Sequence, residues 1–257
     1  ERSIPENWST SNNHGAKVGE KFYPINRVGI YVPGGNVPLI STVIMTVTIA
    51  NVAKVKEIAV VTPPDSEGKI APQMLAALEL LGVDEIYKVG GAQAIGALAY
   101  GTDTIPAVDK IYGPGNAFVN EAKRQVFGIV GIDLLPGPSE VMIIADSSSN
   151  PAFVAAALLS QAEHGSGKEK IFLLFSEKSH FDKIVSEIKT QLQDLTHKQA
   201  VAGVLERGFM SIYLPSFKRI SEVANYIAPE HLELQVADEH IGFLTDHITT
   251  AGAFLLG

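Results

Sequence analysis

The sequence predicts an α/β protein of two domains, each built on a mainly parallel sheet, with a cleft between them. Three observations carry that prediction. Strand-like apolar runs alternate with helix-period segments along the chain, as in parallel sheets covered by helices. The rhythm restarts after a Gly/Pro-rich stretch at 136–139. With 257 residues, 46% of them apolar and 19% charged, the chain can bury one large or two medium cores.

RVGIYVP (27–33) reads as a buried strand, followed by the turn GGNVP and an apolar, Thr-rich helix over 39–53. EIAVVTPP (57–64) is a second strand, ended by its double proline. PQMLAALELLG (72–82) has helix spacing, with Gly82 as its stop. EIYKVG (85–90) is a third strand and GAQAIGALAYG (91–101) a small-residue helix. KIYGPGN (110–116) is a strand that enters a tight loop, and AFVNEAKRQVFG (117–128) a helix stopped at Gly128. EVMIIAD (140–146) opens the second half as a strand. NPAFVAAALLSQAEHG (150–165) follows as a helix, with Asn150 as N-cap, Pro151 at its first position and Gly165 as C-terminal cap. KIFLLF (170–175) and FMSIYLP (209–215) are strands; HFDKIVSEIKTQLQDL (180–195) and ISEVANYIA (220–228) are helices. The closing AGAFLLG is strand-like. The domains are expected at 27–139 and 140–257, with residues 1–26 packing on the second.

A formal charge of −8 argues against a general nucleic-acid binder. The absence of cysteine rules out disulfides and thiolate metal sites, so a zinc ion would need His, carboxylate or amide ligands. No run of 18 apolar residues could span a bilayer, and no charged-then-apolar leader opens the sequence, so a cytoplasmic protein is expected. Starting at Glu1 without methionine and stopping on an apolar run, the sequence reads as a piece of something longer.

Ligands of such folds sit beyond the carboxyl ends of the strands. VPGGN (32–36), VGGAQ (89–93) and GPGN (113–116) each follow a strand and precede a helix there. Their glycines would let a nucleotide approach the backbone, or they are ordinary turns; no GxGxxG decides between these. Gln161 and His164, three apart in LLSQAEHG, share a face of the last helical turn. They make either a helix-end cap or half of a site. Glu230 and His231, adjacent in APEHLEL, place a carboxylate beside an imidazole, a pair suited to general base work or a solvated loop pair. His14, His180, His197, His240 and His247 are read as surface residues.

The stretches VGIYVPGGNVPLISTV, GGAQAIGALAYGT, GPGNAFVNEAKRQV, IDLLPGPSEVMIIAD, LLSQAEHG and APEHLEL, in this order, resemble the histidinol dehydrogenase family from about Arg27 to Gly257. The resemblance implies two Rossmann-like domains assembled as a homodimer with a shared active site. It implies oxidation of L-histidinol to L-histidine through the aldehyde, with two NAD+ and one Zn2+. Gln161 and His164 match zinc ligands, the zinc in turn holding the substrate's imidazole and amino nitrogens. His231 matches the group that takes the alcohol proton, and Glu230 the group that helps activate water onto the aldehyde. Ser139 matches a substrate contact, and Tyr31, Gln93 and Asn116 match positions that touch NAD. Two departures stand close to these motifs: Pro136 where the family has alanine, and Ala157 where it has an acidic residue. The family's remaining zinc and substrate ligands follow the region ending at Gly257, so this chain is expected to bind zinc weakly or not at all. A paralogous dehydrogenase of another small alcohol, or an inactive nucleotide-binding module, are the alternative functions.

Overall fold

A computed structural model describes residues 4–34, 39–135, 137, 139–163 and 168–257. The chain forms two compact units that divide between residues 136 and 137. The first opens with an antiparallel hairpin of β1 (Trp8–Ser11) and β2 (Lys17–Glu20). There follow β3 (Arg27–Tyr31), α1 (Ile40–Val52), β4 (Glu57–Val61), α2 (Pro72–Leu80), β5 (Glu85–Tyr87), α3 (Gly91–Tyr100), β6 (Lys110–Tyr112), α4 (Ala117–Val126) and β7 (Gly131–Ile132). The second unit runs β8 (Glu140–Ala145), α5 (Pro151–Ala162), β9 (Lys170–Phe175), α6 (Lys178–Asp194), α7 (Lys198–Gly208), β10 (Phe209–Tyr213), α8 (Phe217–Ile227), β11 (His231–Gln235), α9 (Asp238–His247) and β12 (Ala253–Leu256).

Both main sheets are parallel throughout, in the orders β5-β4-β3-β6-β7 and β10-β9-β8-β11-β12. Each unit therefore winds outward from its first strand, returns, and winds the other way, reversing between β3 and β6 and between β8 and β11. Side-chain alternation assigns the faces. On β8, Val141, Ile143 and Ala145 join the core under α5, α6 and α7, while Met142 and Ile144 join the core under α8 and α9. On β3, Val28 and Ile30 pack toward α1 and α2, and Tyr31 toward α3 and α4.

Helix ends follow local chemistry. Asn150 accepts a hydrogen bond from Ala152 N at 3.0 Å, with Pro151 at the first helical position. Gly82 and Gly128 stand past α2 and α4 at φ +73° and +99°. Gly165 lies outside the described residues. Predicted strands overran the paired residues: Val32, Thr62 and Leu214 keep a backbone hydrogen bond to the neighbouring strand, and the prolines and glycines that follow are loop. The sequence reading passed over α7 and α9, which bury only Val201 and Val204, and Leu244.

His180 corrects its surface assignment: it is 4% exposed. Its Nε2 lies 2.7 Å from Ser149 Oγ, and that hydroxyl lies 2.9 Å from the Asp146 carbonyl oxygen. The hydroxyl donates to the carbonyl and accepts from the ring. Burial, then the Lys183 charge, pull the imidazole pKa below its ordinary value. Asp146 sits beside it, where the second sheet reverses direction. Its Oδ1 accepts from Ser148 N and Oγ, and its Oδ2 from Ala237 N at 3.0 Å. Burial alone would raise this carboxyl's pKa; the Ser148 and Ala237 hydrogen bonds outweigh it and hold the pKa low.

Candidate active site

Ser139, Gln161, Glu230 and His231 belong to the amino edge of the second sheet. The parallel crossover explains why: α5 leaves the carboxyl end of β8 and runs back, so its last turn, with Gln161, ends where β8 and β9 begin. Ligands usually take the other edge of such sheets. Glu230 precedes β11, and His231 is its first residue, in register with Val141 of β8 and Ala253 of β12. Glu140 N donates to Glu230 Oε2 at 3.2 Å, tying the carboxylate across the strand pair. His231 Nδ1 lies 3.7 Å from the same oxygen, close enough for charge interaction but not for a hydrogen bond. Both side chains are accessible, at 51% and 43% exposure for Glu230 and His231. Ala228, two residues earlier, has φ +53°, a left-handed conformation uncommon outside glycine. Ser139 is half-buried, and its carbonyl accepts from Lys170 N at 3.3 Å.

Gln161 is 8% exposed, and its Nε2 has no hydrogen-bond partner among the described residues. The oxygen and nitrogen of an amide exchange places by assignment, so this buried position can present Oε1. A buried amide with an unspent polar atom fits a metal ligand. His164 lies outside the described residues, as do Gly165 and Pro136. Among the described residues no group of three or more His, Asp or Glu is arranged around a common point. Among the described residues, the one whose surroundings fit a zinc ligand is Gln161. Glu169, a buried carboxylate just before β9, is a further polar group of this edge that the sequence reading did not single out.

Tyr31, Gln93 and Asn116 lie at the carboxyl edge of the first sheet. Tyr31 is buried, and its hydroxyl accepts from Gly91 N at 3.1 Å, supplying the cap that Gly90 cannot give α3. Asn116 caps α4, its Oδ1 accepting from Phe118 N and Val119 N, which leaves its Nδ2 outward. Gln93 is exposed in the first turn of α3. The glycines here serve protein packing first. A Cβ on Gly34 would meet Pro63 O at 2.4 Å, and one on Gly90 would meet Pro63 Cβ at 2.5 Å, so two loops grip one proline. Gly113, at φ +113°, passes so near β3 that a Cβ would lie 2.0 Å from Tyr31 O. Beneath it Lys123 is fully buried, its Nζ donating to Gly113 O at 2.6 Å and to Asp133 Oδ1 at 2.7 Å. Asp133 Oδ2 accepts from Gly113 N at 2.8 Å. This ion pair fixes the GPGN loop from below. Its signal was present in the sequence: Lys123 falls on the Val119 and Val126 face of α4, where an apolar residue is expected. A dinucleotide fits this edge on one observation, the buried Thr62 hydroxyl, which has no partner among the described residues.

Two parallel sheets of one strand order, with glycine loops on one and a carboxylate–imidazole pair on the other, define a two-unit α/β protein. An acetylating aldehyde dehydrogenase from Geobacillus thermoglucosidasius shares that fold alone, at 18% identity and a TM-score of 0.57 over 91% of this chain and 65% of its own. The chain belongs to the histidinol dehydrogenase family, whose model matches residues 1–257. The histidinol dehydrogenase of Clostridium acetobutylicum is 43% identical over 256 residues, which is 100% of this chain and 59% of that protein. The crystal structure of histidinol dehydrogenase from Elizabethkingia anophelis matches with a TM-score of 0.90 at 41% identity, covering 100% of this chain and 58% of that one. The chain thus spans a little over half the length of the relatives it matches.

Proposed function

We propose that the chain is the core of an NAD- and zinc-dependent L-histidinol dehydrogenase that forms L-histidine through the aldehyde. One observation carries this reading: Glu230 and His231 stand at the start of β11, tied by Glu140 N, on the edge where α5 delivers Gln161. Tyr31, Gln93 and Asn116 would hold NAD, and Gln161 with His164 would hold zinc. When bound, NAD+ supplies the hydride acceptor for both oxidations and zinc a Lewis acid that orients the substrate. Ser139 contacts the substrate. His231 takes the alcohol proton on an imidazole nitrogen. Glu230 helps activate the water that hydrates the aldehyde: Oε2 is held by Glu140 N, and Oε1 accepts no hydrogen bond among the described residues. The negative net charge suits a cationic amino alcohol. The same reading takes the enzyme as a cytoplasmic homodimer with a shared site; among the described residues no helix is long and apolar enough to cross a membrane.

Incubation with NAD+, Zn2+ and L-histidinol, followed by NADH absorbance, tests the proposal: two NADH per histidinol are expected. Turnover of another alcohol alone would mark a paralogous dehydrogenase, and NAD binding without turnover a nucleotide-binding module. His231→Asn should lower the rate about 100-fold or more, the usual weight of a positioned base.

A further inference from the structure

The backbone that carries Glu230 and His231 is held from three sides. Behind it α8 ends at the left-handed Ala228, whose N donates to Ala224 O at 2.8 Å. On one flank, β8 supplies Glu140 N to the Glu230 carboxylate. On the other stands the entry to β12: Gly252 N donates to Pro229 O at 3.0 Å and Ala253 N to Glu230 O at 2.9 Å. Gly252 passes so close that a Cβ there would lie 2.7 Å from Glu230 O. A shift of this entry would move Glu230 and His231 with it.

β12 is a weak hold by itself. It has four residues, all exposed, and among the described residues it pairs with β11 alone. A strand with so little buried surface opens easily. Its entry is fixed from α8 by one side chain. Asn225 stands in the last turn of α8, five residues ahead of Glu230, and spends its amide on the loop between α9 and β12. Its Nδ2 donates to His247 O at 2.7 Å, and its Oδ1 accepts from Thr249 N at 2.9 Å and from Thr250 Oγ1 at 3.1 Å. These partners settle which way the amide faces, since a backbone N–H can only donate and a carbonyl can only accept. Asparagine is a poor helix former, so its place here is explained by the loop and not by the helix.

We propose that Asn225 is a positioning residue for the Glu230–His231 pair, acting through the α9–β12 loop and the Gly252 and Ala253 amides. The inference rests on the reading of that pair as the catalytic one. Without the amide the loop loses three hydrogen bonds, and the β12 entry is free to shift against β11. A base displaced by about 1 Å loses rate, while affinity set by other groups is kept.

Steady-state oxidation of L-histidinol by the whole chain, with NAD+ and Zn2+, tests it beside urea unfolding. Asn225→Ala should lower kcat about tenfold to 100-fold, with KM for histidinol and for NAD+ within about twofold of the wild type. Ile220→Val loosens α8 against its own core without touching the loop, so it should lower the urea midpoint and leave kcat unchanged. Thr250→Val removes one of the three bonds and should lower kcat by less; it carries the test if Asn225→Ala does not fold. Amide hydrogen exchange gives a readout independent of turnover: Gly252 and Ala253 should exchange about tenfold faster in Asn225→Ala. Unchanged exchange there overturns the inference, as does a kcat loss no greater than that of Ile220→Val. A rise in KM at unchanged kcat overturns it too, by assigning Asn225 to binding. A wild type that does not turn over histidinol, with a normal unfolding transition, overturns the catalytic reading of the pair and this inference with it.

Discussion

Lys123 shows how much one buried charge can organise. It has no exposed surface, yet its ammonium donates to a carbonyl and to a carboxylate, and the carboxylate returns to the same glycine through its other oxygen. Lys123→Met would leave Asp133 without its cation. Because Asp133 is 18% exposed, the loss should fall near the low end for a broken buried pair, about 3 kcal/mol, measured by urea unfolding. Ala228 is the opposite case, a residue whose own backbone is unfavourable. Ala228→Gly should relieve the left-handed conformation and stabilise by roughly 0.5 kcal/mol net of the added freedom of the unfolded chain. His180 couples stability to pH. Its folded pKa lies below the ordinary 6.5, so the unfolded chain binds more protons and the histidine's contribution is complete above that value. It is lost as pH falls from there through the folded pKa. His180→Asn should flatten the fall in melting temperature between about pH 7 and 5.

Strand ends, more than strand middles, separate what the sequence told from what it concealed. Apolar runs located the strands of both main sheets except β7 and β11, since a buried parallel strand needs a continuous apolar stretch and these two offer a short or charge-interrupted one. They could not locate where pairing stops, because Val32, Thr62 and Gly113 carry on the chain direction after the ladder ends. The glycines of the three loops were open to two readings, room for a ligand or ordinary turns; Gly34 and Gly90 pack against Pro63, and Gly113 against Tyr31 O. Gly113→Ala should therefore cost at least about 3 kcal/mol, from strain and the clash with β3 together, and urea unfolding would show it. Gln161 and the Glu230–His231 pair were legible as motifs. Their common edge was not, because it depends on α5 running back across β8 and on β11 entering beside it, which is a matter of topology. The short helices α7 and α9 escaped notice because a few buried side chains make too weak a period to stand out.

At the scale of the molecule, each unit closes its own core on both faces of its sheet, so neither needs the other to bury its apolar strands. Residues 137–257 expressed alone should unfold cooperatively in urea; a gradual, non-cooperative loss of circular dichroism would contradict this. The two sheets share one strand order although the two halves show no sequence repeat, so what the halves have in common is winding and not side chains. They differ most where each sheet reverses. In the first unit that place holds a four-residue loop between β6 and α4; in the second, two residues join β11 to α9, and the Ala237 amide already faces Asp146 Oδ2. The second unit carries its own resident anion where an outside one would dock. If the first unit holds the dinucleotide as proposed, a dinucleotide titration should saturate at a single equivalent per chain, because among the described residues the matching place of the second unit is taken by Asp146.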